Sequence, residues 1–159
     1  EAVGMSAVRF NIARVSPEKG INFRWEDALS FEADSAPFIM YSHARACSIS
    51  RRLKAAGHDV DALVAEVQDW YGLSDSAAAL VKRIATFAEA LNNSIVGQRP
   101  NLFSSYLLAL ATEYNRFYHD NHVMEDTGIN SRNLALSETA RELIAAGCEG
   151  LGIIAVESM

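Results

Sequence analysis

The chain has 159 residues, 50% of them apolar and 21% charged, and a formal net charge of −6. That balance is ordinary for a globular protein and excludes wholesale disorder, which needs low hydrophobicity with high net charge. No apolar run approaches the roughly 18 residues of a membrane-spanning helix, and the acidic sum argues against a bulk electrostatic grip on nucleic acid. The sum hides one cationic stretch: Ser35 to Gly57 carries Arg45, Arg51, Arg52 and Lys54 and no acid. The start lacks the basic head and apolar block of a signal peptide, and its opening at Glu1 rather than Met reads as an excised piece of a longer protein or the product of processing. Cys47 and Cys148 sit in helical patterns and read as buried thiols of a reducing compartment.

In chain order, Val8, Phe10 and Ile12 alternate with Arg9, Asn11 and Ala13, which predicts a short strand. Pro17 to Gly20 is turn chemistry, and Ile21, Phe23 and Trp25 predict a second extended piece. Near Asp34 the period becomes helical. Pro37 fits a first helical turn, and the run to about Ala56 stops at Gly57. Asp59 caps a helix from Val60 to about Tyr71, closed by Gly72. Ser74 caps a third from Asp75 to about Val96, closed by Gly97, with Leu80, Ile84, Phe87, Leu91 and Ile95 as its core stripe. Pro100 opens a fourth, reaching about Tyr118, with Leu102, Tyr106, Leu110, Tyr114 and Phe117 facing inward. Residues 119–133 are polar and predict a loop, and a last helix spans about Leu134 to Ala146. The apolar tail from Leu151 to Val156 must pack somewhere. The expected fold is therefore all-α: a bundle of about five helices with a short extended or β N-terminal segment. The boundary falls between residues 1–34, extended, and residues 35–159, helical.

Phosphate-binding glycine loops, HExxH, GxSxG and paired ExxH motifs are absent from the sequence. His119 and His122 are three apart, but a metal site there needs a third ligand from elsewhere. His43 has no nucleophile placed beside it in a triad pattern and reads as a satisfied, partly buried histidine. The helix after Pro37 is more informative. Ile39, Ala46, Ile49 and Leu53 share one face, a plausible core. Phe38, Tyr41, Arg45, Ser48 and Arg52 share another, which combines rings with guanidiniums. Rings stack on unstacked bases, and Arg both stacks and bonds phosphate, as single-stranded RNA requires. Composition alone favours a blander reading, in which the rings border the core and the arginines solvate an exposed face. Asn115, Tyr118 and His119 likewise could line a cleft, although periodicity favours a core role for most aromatics of that helix.

The order of residue types decides what periodicity leaves open. Pro37, Phe38, Tyr41, Ser42, His43, Ala44, Arg45, Ser48 and Ile49 follow the pattern P-[YF]-x-x-Y-[AST]-H-[AS]-R-x-x-S-[IL]. That stretch resembles arginyl-tRNA synthetases. The segment from Phe23 to Glu32 looks like the one leading into that helix. Tyr106 to Ala111 and Tyr114 to Tyr118 are similar to the family's YL-x-x-LA-x-x-[FY]-N-x-F-Y, and Leu151-Gly152-Ile153 through Met159 to its closing LGI…PE-x-M. The resemblance spans nearly the whole chain in order. Asp34-Ser35, Ile39-Met40 and Ala155-Val156 depart from it, and no role is carried to them.

The resemblance implies the helical anticodon-binding (DALR-type) domain, residues 35–159, with residues 1–34 linking it to a class I catalytic domain. It implies a pocket for the middle anticodon cytosine walled by Tyr41 and Tyr118, anchored by Arg45 and closed by Met159, with Phe38, Ser48 and Arg52 on the same face. His43 is structural. The partners it implies are the anticodon loop of tRNA(Arg) and the chain's own catalytic domain, with neither DNA nor membrane, in the cytoplasm. The full enzyme would be an arginine–tRNA ligase using ATP with Mg2+ and arginine. This piece lacks the HIGH and KMSKS-type motifs, so it should need no cofactor or metal and be inactive alone. The alternative is a helical protein-interaction module whose apolar tail docks a partner without RNA binding.

Overall fold

The computed structural model describes residues 2–31, 34–125 and 128–159. Eight helices are found among them: α1 (Ala2–Ala13), α2 (Trp25–Ala28), α3 (Ala36–Ala55), α4 (Val60–Ala65), α5 (Asp75–Ala85), α6 (Phe87–Val96), α7 (Pro100–Asp120) and α8 (Ser131–Gly150). Two-residue strands β1 (Met124–Glu125) and β2 (Gly128–Ile129) pair antiparallel, Met124 opposite Ile129. The all-α expectation holds.

The helix boundaries follow local chemistry. Ser35 Oγ accepts the Phe38 N–H at 3.2 Å and starts α3, with Pro37 in its first turn. At the other end Gly57 adopts φ +86°. The Gly57 N–H then reaches the Lys54 carbonyl, and the His58 N–H reaches Leu53, each at 3.0 Å. This left-handed closure suits a residue without Cβ. Asp59 and Ser74 cap α4 and α5 as expected, and Pro100 opens α7.

Three differences are instructive. Val8, Phe10 and Ile12 lie in α1, not in a strand, and residues 20–24 pair with no sheet. The buried stripe of α1 is Ser6, Ala7, Phe10 and Asn11, so two of its inward positions are polar and the apolar pattern misleads. Second, α4 ends at Ala65 instead of Tyr71. Beyond it Trp70 and Tyr71 are exposed, so no packing holds further turns. Third, the expected helix 75–96 is two helices, parted at Thr86, whose Oγ1 donates to the Arg83 carbonyl at 3.0 Å. On the expected stripes, Ile95 and Leu102 prove exposed.

The loop expected at 119–133 is shortened from both sides. α7 runs to Asp120, and Asn130 caps α8 by accepting the Asn133 N–H at 3.1 Å. Residues 126–127 of that loop and Glu32 of the 23–32 segment lie outside the described residues. α8 also continues through Gly147, where a Cβ would meet Leu107 Cδ1 at 2.6 Å. The glycine there permits the close approach of α7 and α8.

α7 is the axis of the bundle. It packs against α1, α3, α5, α6 and α8, and supplies Leu107, Leu110, Ala111, Tyr114 and Phe117 to the main core. A second cluster, Ile49, Leu53, Val60, Val123 and Leu134, lies between α3, α4 and α8. The tail packs inward: Ile153 is buried in the main core, with Leu151, Ala155 and Val156 against it. It is therefore engaged by its own chain, which leaves little of it for the partner-docking alternative. Cys148 is buried, and Cys47, expected to be buried, is half-exposed. Burial pushes the Cys148 thiol up to about 12. Among the described residues no helix is long and apolar enough to cross a membrane.

Candidate nucleic-acid interface

α3 divides its faces as its spacing requires. Ile39, Ala46, Ile49 and Leu53 are buried, while Tyr41 is 41% exposed and Arg52 lies in solvent. α7 packs against α3 and brings Asn115 and Tyr118 to the same edge.

Arg45 organises that edge. Its guanidinium carbon lies 4.7 Å from the Tyr41 ring centroid and 4.6 Å from that of Tyr118, so both rings flank the cation. Nη1 donates to Asn115 Oδ1 at 2.9 Å and Nη2 to the Tyr41 hydroxyl at 3.1 Å. Asn115 Nδ2 donates to Ser42 Oγ at 2.7 Å, and that hydroxyl donates to the Phe38 carbonyl at 2.8 Å. The cation is thus oriented by two rings and a hydrogen-bonded amide rather than by a carboxylate. Among the described residues no carboxylate forms an ion pair with it, which leaves the guanidinium available to an anion.

Around these groups opens a cavity of about 370 Å³ that brings together Tyr41, Arg45, Ser48, Arg52, Tyr118 and Met159. Six of the seven residues expected at the site therefore line one groove. Phe38 does not join them: half-buried, it packs against the main core. Ser48 lines the groove, but its hydroxyl donates to the Arg45 carbonyl at 2.7 Å. Arg51 and Ser158 are lining residues that the helical faces did not single out. Arg51 was visible in the sequence only as part of the cationic stretch from Arg45 to Lys54, because it stands about 100° around the helix from Arg52 and so off the face that spacing defines. No acidic side chain stands among the lining residues described.

Met159 reaches the groove because the tail is held along its length. Arg9 Nη1 donates to the Gly152 carbonyl at 2.7 Å, and Ser6 Oγ accepts the Ile154 N–H at 3.0 Å. His43 Nδ1 donates to the Val156 carbonyl at 2.8 Å, and Arg51 Nη2 to Glu157 at 3.1 Å. His43 is buried and its ring fastens the tail, a positioning role. Among the described residues no group of three or more His, Cys, Asp or Glu side chains is arranged to hold a metal ion.

In class, the molecule is an all-α domain with a cationic, aromatic groove where two long helices meet. Residues 39–159 match the family described as the DALR anticodon binding domain, and the chain belongs to that family. It is 41% identical over 162 residues to the arginine–tRNA ligase of Thermococcus kodakarensis, covering 100% of this chain and 25% of that protein. It is also 41% identical over 160 residues to the arginine–tRNA ligase of Methanocella arvoryzae, covering 100% of this chain and 27% of that protein. Among solved structures, Thermus thermophilus arginyl-tRNA synthetase superposes with a TM-score of 0.82 at 30% identity, covering 99% of this chain and 27% of that one. Plasmodium falciparum arginyl-tRNA synthetase, at 18% identity and a TM-score of 0.79, shows the same fold over 99% of this chain and 27% of that one. The chain thus spans about a quarter of the length of the curated relatives it matches.

Proposed function

We propose that this chain is the anticodon-loop-binding part of an arginine–tRNA ligase and that the middle anticodon cytosine enters the groove between Tyr41, Tyr118 and Met159. The observation that carries the reading is the Arg45 guanidinium held between two tyrosine rings at the mouth of that groove. A base everted from the loop stacks on a ring. Arg45 and Arg52 supply hydrogen bonds to the base edge or to phosphate. Stacking contributes on the order of 1–3 kcal/mol per base, and hydrogen bonds to the base edge select cytosine. The acidic net charge of the chain is tolerable because the groove need hold only a loop.

Residues 1–34 join this part to the catalytic domain, and ATP with Mg2+ and arginine are bound there, in the cytoplasm. The present residues contribute affinity and selectivity for tRNA(Arg), not chemistry. The experiment is filter binding of the full-length protein to anticodon stem-loops that differ only at the middle base, at stated low salt. Tyr41→Ala and Arg45→Ala should weaken binding, reduce that discrimination and raise KM for tRNA in aminoacylation. Unaltered binding and charging by both variants would remove the assignment.

A further inference from the structure

Asn115 is half-buried on α7, three residues before Tyr118, so the helix repeat turns both toward α3. Its amide meets α3 at two points. Oδ1 accepts from Arg45 Nη1 at 2.9 Å, and Nδ2 donates to Ser42 Oγ at 2.7 Å. Ser42 is fully buried, and its own proton is committed to the Phe38 carbonyl at 2.8 Å. That hydroxyl is left only to accept from Asn115, and a guanidinium only donates. Both ends therefore demand the same orientation of the amide, and two points of attachment fix its plane. Tyr41 differs: it reaches Arg45 from the same helix and is exposed, so its hydroxyl does not set where the guanidinium stands relative to α7.

A carboxylate in this place would hold the guanidinium more strongly, but it would also cancel the charge. An amide holds it without opposing charge. We propose that Asn115 is a positioning residue for base discrimination, fixing the Arg45 guanidinium across the α3–α7 junction while leaving its charge and its other N–H groups to the RNA. A guanidinium is a rigid, planar fork of five N–H donors. Two of them are engaged, with Asn115 and with Tyr41. Holding these fixes the direction of the rest. Affinity then comes from rings and charge, and discrimination from the direction of the fork. This rests on the RNA-binding reading of the groove and deepens it.

The test uses the full-length protein and filter binding to anticodon stem-loops that differ only at the middle base, over a range of salt. Thermal melting checks the fold of each variant, and Asn115→Asp, matched in shape, carries the test where Asn115→Ala melts early. Asn115→Ala keeps the charge and frees the fork. Discrimination at the middle base should fall about tenfold, the worth of a hydrogen bond to a charged group, with the salt slope unchanged. Asn115→Asp keeps the hold and cancels the charge. Affinity should fall and the salt slope should drop by about one. A merely structural amide would lower the melting temperature and leave discrimination and salt slope at their wild-type values, which overturns the proposal. Arg45→Ala combined with Asn115→Ala should discriminate no worse than Arg45→Ala alone, because the amide acts only through the guanidinium. Losses that add in the combined variant overturn it too. Arg45→Ala alone separates the two readings: if it weakens binding while both Asn115 variants match wild type, the groove stands and only the role of Asn115 falls. If Arg45→Ala is silent, both readings fall.

Discussion

Tyr114 and Tyr118 stand one turn apart on α7, their ring centroids 6.3 Å apart, yet they serve opposite purposes. Tyr114 is 0% exposed, and its hydroxyl lies 3.0 Å from Ser137 Oγ on α8. Burial raises its phenol well above the ordinary value, with the Ser137 hydrogen bond opposing. Tyr118 is half-buried and turns its ring to the Arg45 guanidinium on α3. The helix repeat puts both on the inward side of α7. What distinguishes them is the partner opposite: a small hydroxyl that seals one ring, a long cation that leaves the other at the edge of a groove. An aromatic stripe is therefore core or site according to the element packed against it.

The sharpest way to break this comparison is to remove both rings. Tyr114→Ala should cost about 3–5 kcal/mol of stability, the range for emptying a large core aromatic site, read as a lowered denaturation midpoint. RNA affinity measured on the folded fraction should change little. Tyr118→Ala and Arg45→Ala should do the reverse. Each should weaken stem-loop binding by about 1–3 kcal/mol, with a stability loss nearer about 1 kcal/mol. A finer contrast comes from the hydroxyls. Tyr114→Phe leaves Ser137 without its partner and should cost about 0.5–1.5 kcal/mol. Tyr118→Phe keeps the ring against Arg45 and should stay within about 0.5 kcal/mol for stability. Equal effects of the two Phe substitutions in urea denaturation would erase the distinction.

The smallest expected effect concerns pH. The Cys148 thiol, raised to about 12 in the fold against a usual 9.0, stays protonated where the unfolded chain ionises. The unfolded state then binds fewer protons, so stability falls as pH rises from 9 towards 12. The loss is about 0.4 kcal/mol at pH 9 and grows above it. Cys148→Ala should flatten that dependence in denaturation curves taken between pH 7 and 9, whereas Cys47→Ala should flatten it less.

Much of this was legible because the signals were local. Asp59, Ser74, Pro37 and Gly57 each act within a few residues of themselves, and the helices they bound begin or end where expected. The division of α3 into an apolar and a cationic face needed only the period of the helix. α1 was not legible, because Ser6 is buried to accept an N–H from Ile154, far away in sequence. Nor was the early end of α4, where apolar residues were available but no neighbouring element covers them. Of the groove, Tyr41 and Arg45 share a face by spacing, but Tyr118 and Met159 were placed by resemblance alone. No periodicity within one helix reports what another helix or a distant tail sets beside it. Phe38 shows the converse: it shares the face by spacing and still turns to the core.

One consequence lies in how Met159 is held. The segment before it is tied to α1 through Ser6 and Arg9 and to α3 through His43 and Arg51. It is a strap buckled across two helices, and a strap keeps its tension only while its anchor points keep their spacing. Loosening α1 from α3, with no change to any residue of the groove, is enough to let that wall of it go slack.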